Sequence, residues 1–378
     1  MAEIGVVTLS NSIDNYGNVL QYLATQEFLN QRGHDTYLLH TRGHEKGNIV
    51  FYLTRRVCSK LCNFFYQQAD SSNRTEIDSQ KKAIFARWAK ITKEREILHP
   101  RYFSKFRQDF FKILEGTYET ILARDFDVYC VGSDQAWSSV NESYMLGWVP
   151  NQLKKISFAT SIGHKKYSPT EIQRIKKYLN SFDLITVREK NAIEMAAACG
   201  RNDAELILDP TFLLSSNQYD KFSTQICNNS QKPYVLIYML GGEIEIPIHL
   251  IITSIKEKGY DVRYVESQGR DEYEPKEFPT IEEWLGLVRG ATYIVTNSFH
   301  GMAFSIIYHK PFLVFPLVGV MRDMNVRIID LASYFHVRHR LYSGNMDVRF
   351  EELNWNEIEE KKMYNYTKVC SLLEEHNL

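Results

Sequence analysis

The sequence predicts an α/β protein of two Rossmann-like, doubly wound domains facing each other across a cleft, with a helical insert in the first. Three observations carry that expectation. The chain has 378 residues, against roughly 100 to 200 for one domain. Hydrophobic residues make up 44% and charged residues 24%, enough apolar material for a core in each half. Short apolar runs rich in Val, Ile and Tyr alternate with segments of helical period, the pattern of βαβ units and parallel sheets.

The elements follow in order. Ile4–Leu9 reads as a buried strand and Ser10–Gly17 as a polar loop. Asn18–Gln31 is a helix with Val19, Leu20, Leu23, Ala24 and Phe28 on one face, and Gly33 is its stop. Asp35–His40 is the second strand. From Thr41 to about Thr117 the alternation gives way to helical segments of mixed polarity, among them Phe51–Tyr66 with a stripe of Leu53, Val57, Leu61 and Phe64. Strands resume at Asp127–Val131 and Ile156–Ala159, followed by helix Thr170–Asn180, strand Leu184–Val187, helix Lys190–Cys199 and strand Glu205–Leu208. A second set has strands at Tyr234–Leu240, Asp261–Val265, Thr292–Thr296 and Phe312–Phe315. Its helices lie near Ile246–Lys258, Ile281–Val288, Gly301–Tyr308 and Val326–Tyr334. The expected domains are 1–182, carrying the insert 41–117, and 183–350; Asn356–His376 then forms a C-terminal helix within 351–378.

Charge narrows the function classes. Against 45 Lys+Arg stand 46 Asp+Glu, a net charge of −1, which argues against a nucleic-acid-coated protein. The balance is uneven, with residues 41–115 at +8 and the rest at −9. The stripe in 51–66, beside Arg55, Arg56 and Lys60, has the makings of a peripheral membrane contact, or of a helical cap packed on the first domain. The six cysteines, Cys58, Cys62, Cys130, Cys199, Cys227 and Cys370, form no CxxC pair and read as reduced thiols. Residues 1–9 enter a strand without the marks of a secretory leader, and Gly301–Val320 is broken by His309, Lys310 and Pro311, so the expected location is the cytoplasm, extending to the inner membrane surface.

In doubly wound sheets, ligands bind outside the carboxyl ends of the strands. Three strand-to-helix loops stand out. Ser10–Asn18 contains Asp14, Asn15 and Tyr16 but a single glycine, so it is no dinucleotide fingerprint. Its Asp14 and Asn15 also suit an Asx-turn and helix cap. Val131-Gly-Ser133-Asp134-Gln135 is a second such turn. Asn297-Ser298-Phe299-His300-Gly301 places a histidine at a helix start, the position a general acid needs, although a lone histidine also serves as a packed residue. Arg188 at a strand end, and Arg322 and Arg327 around a helix start, suit bidentate binding of phosphate or carboxylate, or a surface ion pair.

Together, Asp14-Asn-Tyr-Gly-Asn-Val-Leu-Gln21, Val131-Gly-Ser-Asp-Gln135, Val187-Arg-Glu189, Leu208-Asp-Pro-Thr211 and Thr296-Asn-Ser-Phe-His-Gly301, in this order from about residue 3 to residue 335, resemble the polysaccharide pyruvyl transferase family. The resemblance implies paired Rossmann-like domains similar to the GT-B glycosyltransferase architecture. It also implies transfer of the enolpyruvyl carbons of phosphoenolpyruvate to two hydroxyls of a sugar, giving a cyclic pyruvate ketal in surface polysaccharide. The implied partners are phosphoenolpyruvate, as donor substrate, and a sugar or lipid-linked oligosaccharide acceptor, with no metal and no further cofactor. His300 takes the place of the family's Arg-Leu-His histidine and Arg188 that of the upstream arginine. Ser298 and Phe299 stand where arginine and leucine would be, so one anion-binding guanidinium is missing; Arg322 or Arg327 is expected to supply it, with the Ser298–Gly301 helix start. The acceptor side is expected on the first domain, at Asp14, Asn15, Tyr16, Ser133, Asp134 and Gln135, with Asp14 or Asp134 either a base or a turn former. A nucleotide-sugar-dependent glycosyltransferase and a non-catalytic sugar- or phosphate-binding protein are the alternatives.

Overall fold

The computed structural model describes residues 1–43, 73–163, 167–224, 232–242, 247–267, 269–270, 272, 274–344, 351 and 353–378, with side chains in the insert from residue 80 onward. The apolar runs become two parallel sheets. The first holds β1 (Glu3–Val7), β2 (Asp35–Thr41), β3 (Ile113–Gly116), β4 (Val128–Val131), β5 (Lys155–Thr160), β6 (Leu184–Val187) and β7 (Glu205–Leu206), in the order β3-β2-β1-β4-β5-β6-β7. The second holds β8 (Tyr234–Tyr238), β9 (Asp261–Val265), β10 (Tyr293–Thr296) and β11 (Phe312–Val314), in the order β11-β10-β8-β9. All pairings between strands are parallel. Strands β4, β5, β6, β8, β10 and β11 are buried throughout, as parallel strands covered by helices on both faces must be. That burial is why they are written largely in apolar residues, with Lys155 and Ser157 of β5 among the exceptions.

The helices are α1 (Tyr16–Gln31), α2 (Asn73–Leu98), α3 (Phe103–Phe110), α4 (Tyr118–Leu122), α5 (Pro169–Leu179), α6 (Lys190–Ala198), α7 (Ser216–Asp220), α8 (Ile248–Glu257), α9 (Ile281–Gly290), α10 (Phe299–Ile307), α11 (Asn325–Tyr334) and α12 (Trp355–Glu375). Gly33, at φ +86°, ends the turn after α1 in the left-handed region that glycine enters without cost.

Three expectations need correction. The boundary at 182 falls too early, because β6 and β7 pair onto β5 and carry the first sheet to Leu206. The span to Thr117 is not wholly helical: Ile113–Gly116 adds β3 to the edge beside β2. The insert also does not pack on the first domain alone. Helix α2 donates from Thr92 to Asp14 on one side (3.1 Å), while its Arg95 pairs with Glu266 of the second domain. The stripe in 51–66, with Cys58 and Cys62, and likewise Cys227, lie outside the described residues. Among the described residues no helix is long and apolar enough to cross a membrane.

The two domains share a core. Tyr16, the first residue of α1, is fully buried. It stacks on Trp284 of α9 at 5.1 Å, and its hydroxyl donates to the Pro279 carbonyl at 2.7 Å. Helix α12 returns to the first domain, where Glu374 pairs with Arg32 (3.1 Å) and Tyr366 meets Phe28 edge-on. The order of each sheet reverses between two strands, β1 and β4 in the first and β8 and β10 in the second. The loops after those four strands are therefore where a ligand should sit.

Candidate functional site

Those loops meet at a cavity of about 250 Å³ bordered by Asn15, Asn18, Asp134, Gln135, His300 and Arg327, with Ser298 and Phe299 beside them. Each loop is set by local chemistry. After β1, the Asn15 side chain caps α1 by accepting from the Asn18 N–H (3.2 Å), as its residue type allowed. Asp14 accepts from Ser12 (3.0 Å) and from Thr92 of α2 (3.1 Å). After β4, Asp134 sits at φ +67°, a conformation Asp tolerates better than most residues, and accepts from the Asn18 amide at 2.9 Å. After β10, the Asn297 side chain pairs with both the N–H (2.6 Å) and the carbonyl (2.8 Å) of Leu240, locking this loop to the one after β8. Ser298 caps α10 through the Gly301 N–H at 3.2 Å.

His300, on the first turn of α10, is buried; its Nε2 lies 3.7 Å from Asp209 Oδ2 and has no hydrogen-bond partner. The imidazole rests on Gly17, where a Cβ would stand 2.0 Å from the ring. No other residue fits at 17 while the ring stays where it is.

Behind the histidine lies a charged network. The buried Arg188 guanidinium binds Asp209, Asp134 (3.2 Å) and the Ser133 hydroxyl (3.3 Å), and faces Glu189 at 3.8 Å. Glu189 in turn accepts from the N–H groups of Ile162 (2.6 Å) and Gly163 (3.2 Å), fixing the loop after β5. Arg327 reaches Asp134 at 3.8 Å, and Gln135, with its amide oxygen turned to it, accepts from Nη1 at 3.1 Å. Both guanidinium groups lie over the Phe299 ring, Arg188 at 4.9 Å and Arg327 at 5.7 Å.

The electrostatics follow from this crowding. Burial opposes ionisation of Asp209, yet His300 and Arg188 more than offset it and hold the carboxyl well below the usual range. Asp134 is likewise lowered against its burial by Arg188, His300 and Arg327. Arg327 is pushed down to about 10, by burial first and by Arg188 second. Loss of water, more than repulsion from Arg188, disfavours the charged guanidinium there, and an anion bound beside it would favour the charged form.

Several expected site residues lie elsewhere. Tyr16 is in the shared core and does not face the cavity. Ser133 is fully buried and spends its hydroxyl on Asp209 at 3.1 Å, so it positions the network. Gly301 packs on Thr296, where a Cβ would approach to 2.2 Å, and serves helix packing. Arg322 is exposed on the 3₁₀ turn Gly319–Met324 and does not border the cavity; Arg327 does. Arg188 borders a neighbouring cavity of about 290 Å³ with Phe299 and Arg327. Asp14 stands behind the loop, tied to α2. Residue reasoning missed Gly17, Asn18 and Asp209. The signals were present, Gly17 as the lone glycine of its loop and Asp209 inside Leu-Asp-Pro-Thr, but neither carries a role until the contact with His300 is seen.

The model for "Polysaccharide pyruvyl transferase" matches residues 15–317, a span that begins at the start of α1 and holds β4, the second sheet's switch point and His300. The chain belongs to the polysaccharide pyruvyl transferase family. A search of curated proteins found no match. Solved structures similar to the chain include UDP-GlcNAc 2-epimerase from Neisseria meningitidis bound to UDP-GlcNAc (10% identity, 97% of this chain and 93% of that chain, TM-score 0.46). UDP-N-acetylglucosamine 2-epimerase from Rickettsia bellii shows 11% identity over 99% of this chain and 96% of that chain, with a TM-score of 0.47. The Streptomyces sp. SF2575 glycosyltransferase SsfS6 with thymidine diphosphate shows 10% identity over 99% and 100%, with a TM-score of 0.45.

Proposed function

We propose that this transferase moves the enolpyruvyl group of phosphoenolpyruvate onto two hydroxyls of a sugar, forming a cyclic pyruvate ketal and free phosphate. One observation carries the reading: a histidine held beside a buried, ionised carboxylate borders the same cavity as the buried guanidinium of Arg327.

In this reading the donor's anionic groups lie toward Arg327 and the start of α10, with Arg188 behind Phe299. Protonated His300 gives its proton to the donor's methylene carbon while a sugar hydroxyl adds to the carbon bearing oxygen. The double bond becomes a methyl group, and the proton lost by the hydroxyl restores the imidazolium. Phosphate then leaves with its bonding electrons, the resulting oxocarbenium-like centre takes the second hydroxyl, and that proton departs with phosphate. Asp209, 3.7 Å from Nε2, faces the imidazole and holds its orientation. Arg327 takes the place of the arginine absent at Ser298. The reaction belongs to the cytoplasm, the acceptor reaching it as a free or lipid-linked sugar.

Thermal stabilisation tests the donor. Phosphoenolpyruvate should raise the melting temperature and a nucleoside diphosphate should not. The reverse result would support a nucleotide-sugar-dependent glycosyltransferase and remove this proposal.

A further inference from the structure

The cavity at His300 does not end there. Leu240, Leu317 and Met321, which border it, also border a second cavity of about 350 Å³ between α2 and the turns at Gly241–Gly242 and Gly269. The two are lobes of one cleft. The second lobe lacks the features that suit phosphoenolpyruvate: Arg188, Arg327 and His300 are not on it, and its one charged bordering residue is Arg87. What it offers is an indole. Trp88 of α2 is half-buried and borders the lobe with Ile84.

Glycines hold that indole in place. A Cβ at Gly269 would come within 2.9 Å of Trp88 Cε2, and one at Gly242 within 3.5 Å of Cζ2. Gly269 (φ +86°) and Gly241 (φ +80°) are both left-handed, so side chains are excluded there on conformational grounds as well. Phe85, one turn back on α2, meets Trp88 edge-on at 5.3 Å and itself borders the His300 lobe. The indole N–H has no hydrogen-bond acceptor among the described residues, which leaves a donor at the half-buried edge of the lobe for a ligand hydroxyl.

We infer that this second lobe is the subsite for the acceptor saccharide, with Trp88 as the platform for a pyranose ring. The inference rests on the pyruvyl transfer reading, which requires a neutral polyol to approach His300 from beside the anion lobe. A pyranose has an apolar C–H face and a rim of hydroxyls. A flat indole with one unused donor, beside glycine backbone and away from the buried charges, complements both. The acceptor side thereby moves from the first domain's loops to the insert, which supplies this wall of the cleft.

Calorimetric titration with methyl β-D-galactopyranoside, methyl β-D-glucopyranoside and their 2-acetamido forms tests it, on the native chain, Trp88→Ala and Trp88→Phe, each checked for native circular dichroism. At least one glycoside should bind the native chain, weaken about tenfold in Trp88→Ala, and weaken less in Trp88→Phe. The shift in melting temperature given by phosphoenolpyruvate should be the same in all three. Equal glycoside affinity in Trp88→Ala, or no glycoside binding to the native chain, overturns the subsite. Glycoside binding that depends on Trp88 without any phosphoenolpyruvate shift supports the subsite and removes the pyruvyl transfer reading.

Discussion

The loop after β1 and the loop after β10 have the same construction: a buried parallel strand, a polar turn, an Asn or Ser cap and a helix. They end in opposite states. In the first, Asp14 is engaged by Ser12 and Thr92, and Asn15 by the helix it caps. In the second, His300 Nε2 is buried without a hydrogen-bond partner, its ring resting on a glycine supplied by the first loop. Residue type alone marks both loops as sites; the difference lies in what packs against each. The first loop is a mould and the second holds the reactive group.

The largest effect that would break this contrast is at the second loop. His300→Ala should lower phosphate release from phosphoenolpyruvate by about a thousandfold, within the usual range for a general acid. Next comes the mould. Gly17→Ala should lower kcat by about a hundredfold by displacing the imidazole, with phosphoenolpyruvate still raising the melting temperature. An active Gly17→Ala variant would mean that the ring need not rest there.

Arg327→Ala should raise KM for phosphoenolpyruvate about thirtyfold, the loss of one charge-assisted contact, while Arg322→Ala leaves it unchanged. The low pKa of Arg327 gives a pH dependence with a definite sign. An anion bound beside it favours the charged form, so binding takes up protons near pH 10, and affinity falls as the pH rises through that value. Calorimetry in buffers of different ionisation enthalpy would measure the uptake. Least affected should be Asp14→Asn, which keeps the size of the side chain and weakens two hydrogen bonds. It should cost about 1 kcal/mol of stability and change kcat less than about threefold. A larger loss in kcat would promote Asp14 from loop former to reactive group.

How much of this was legible in the sequence divides along the same line. Strand Leu184–Val187 was readable to the residue, because an apolar run bounded by a turn and a helix has few other solutions, and Asp261–Val265 because β-branched and aromatic residues follow a glycine stop. Strand β3 was not: Ile-Leu-Glu-Gly at a half-buried sheet edge carries little strand signal. The boundary at 182 failed because the sequence of β6 shows that it is a strand but not which sheet it joins. His300 and Arg327 could be found from their places at helix starts. Tyr16 could not be told from a cleft residue, since Phe103, Tyr238 and Trp284, all far along the chain, show that the ring belongs to the core. Asp209 was visible as a motif without a partner, since Arg188 and Ser133, which bind it, and His300, which it faces, are all distant in sequence.

The central claim is that His300 delivers a proton to the donor's methylene carbon. Turnover of phosphoenolpyruvate with an accepted diol sugar in D₂O, followed by mass spectrometry of the ketal, tests it directly. The native enzyme should place one deuterium in the new methyl group, and His300→Ala should form ketal about a thousandfold more slowly. Ketal formed at an undiminished rate by His300→Ala, with the same label, would contradict the account.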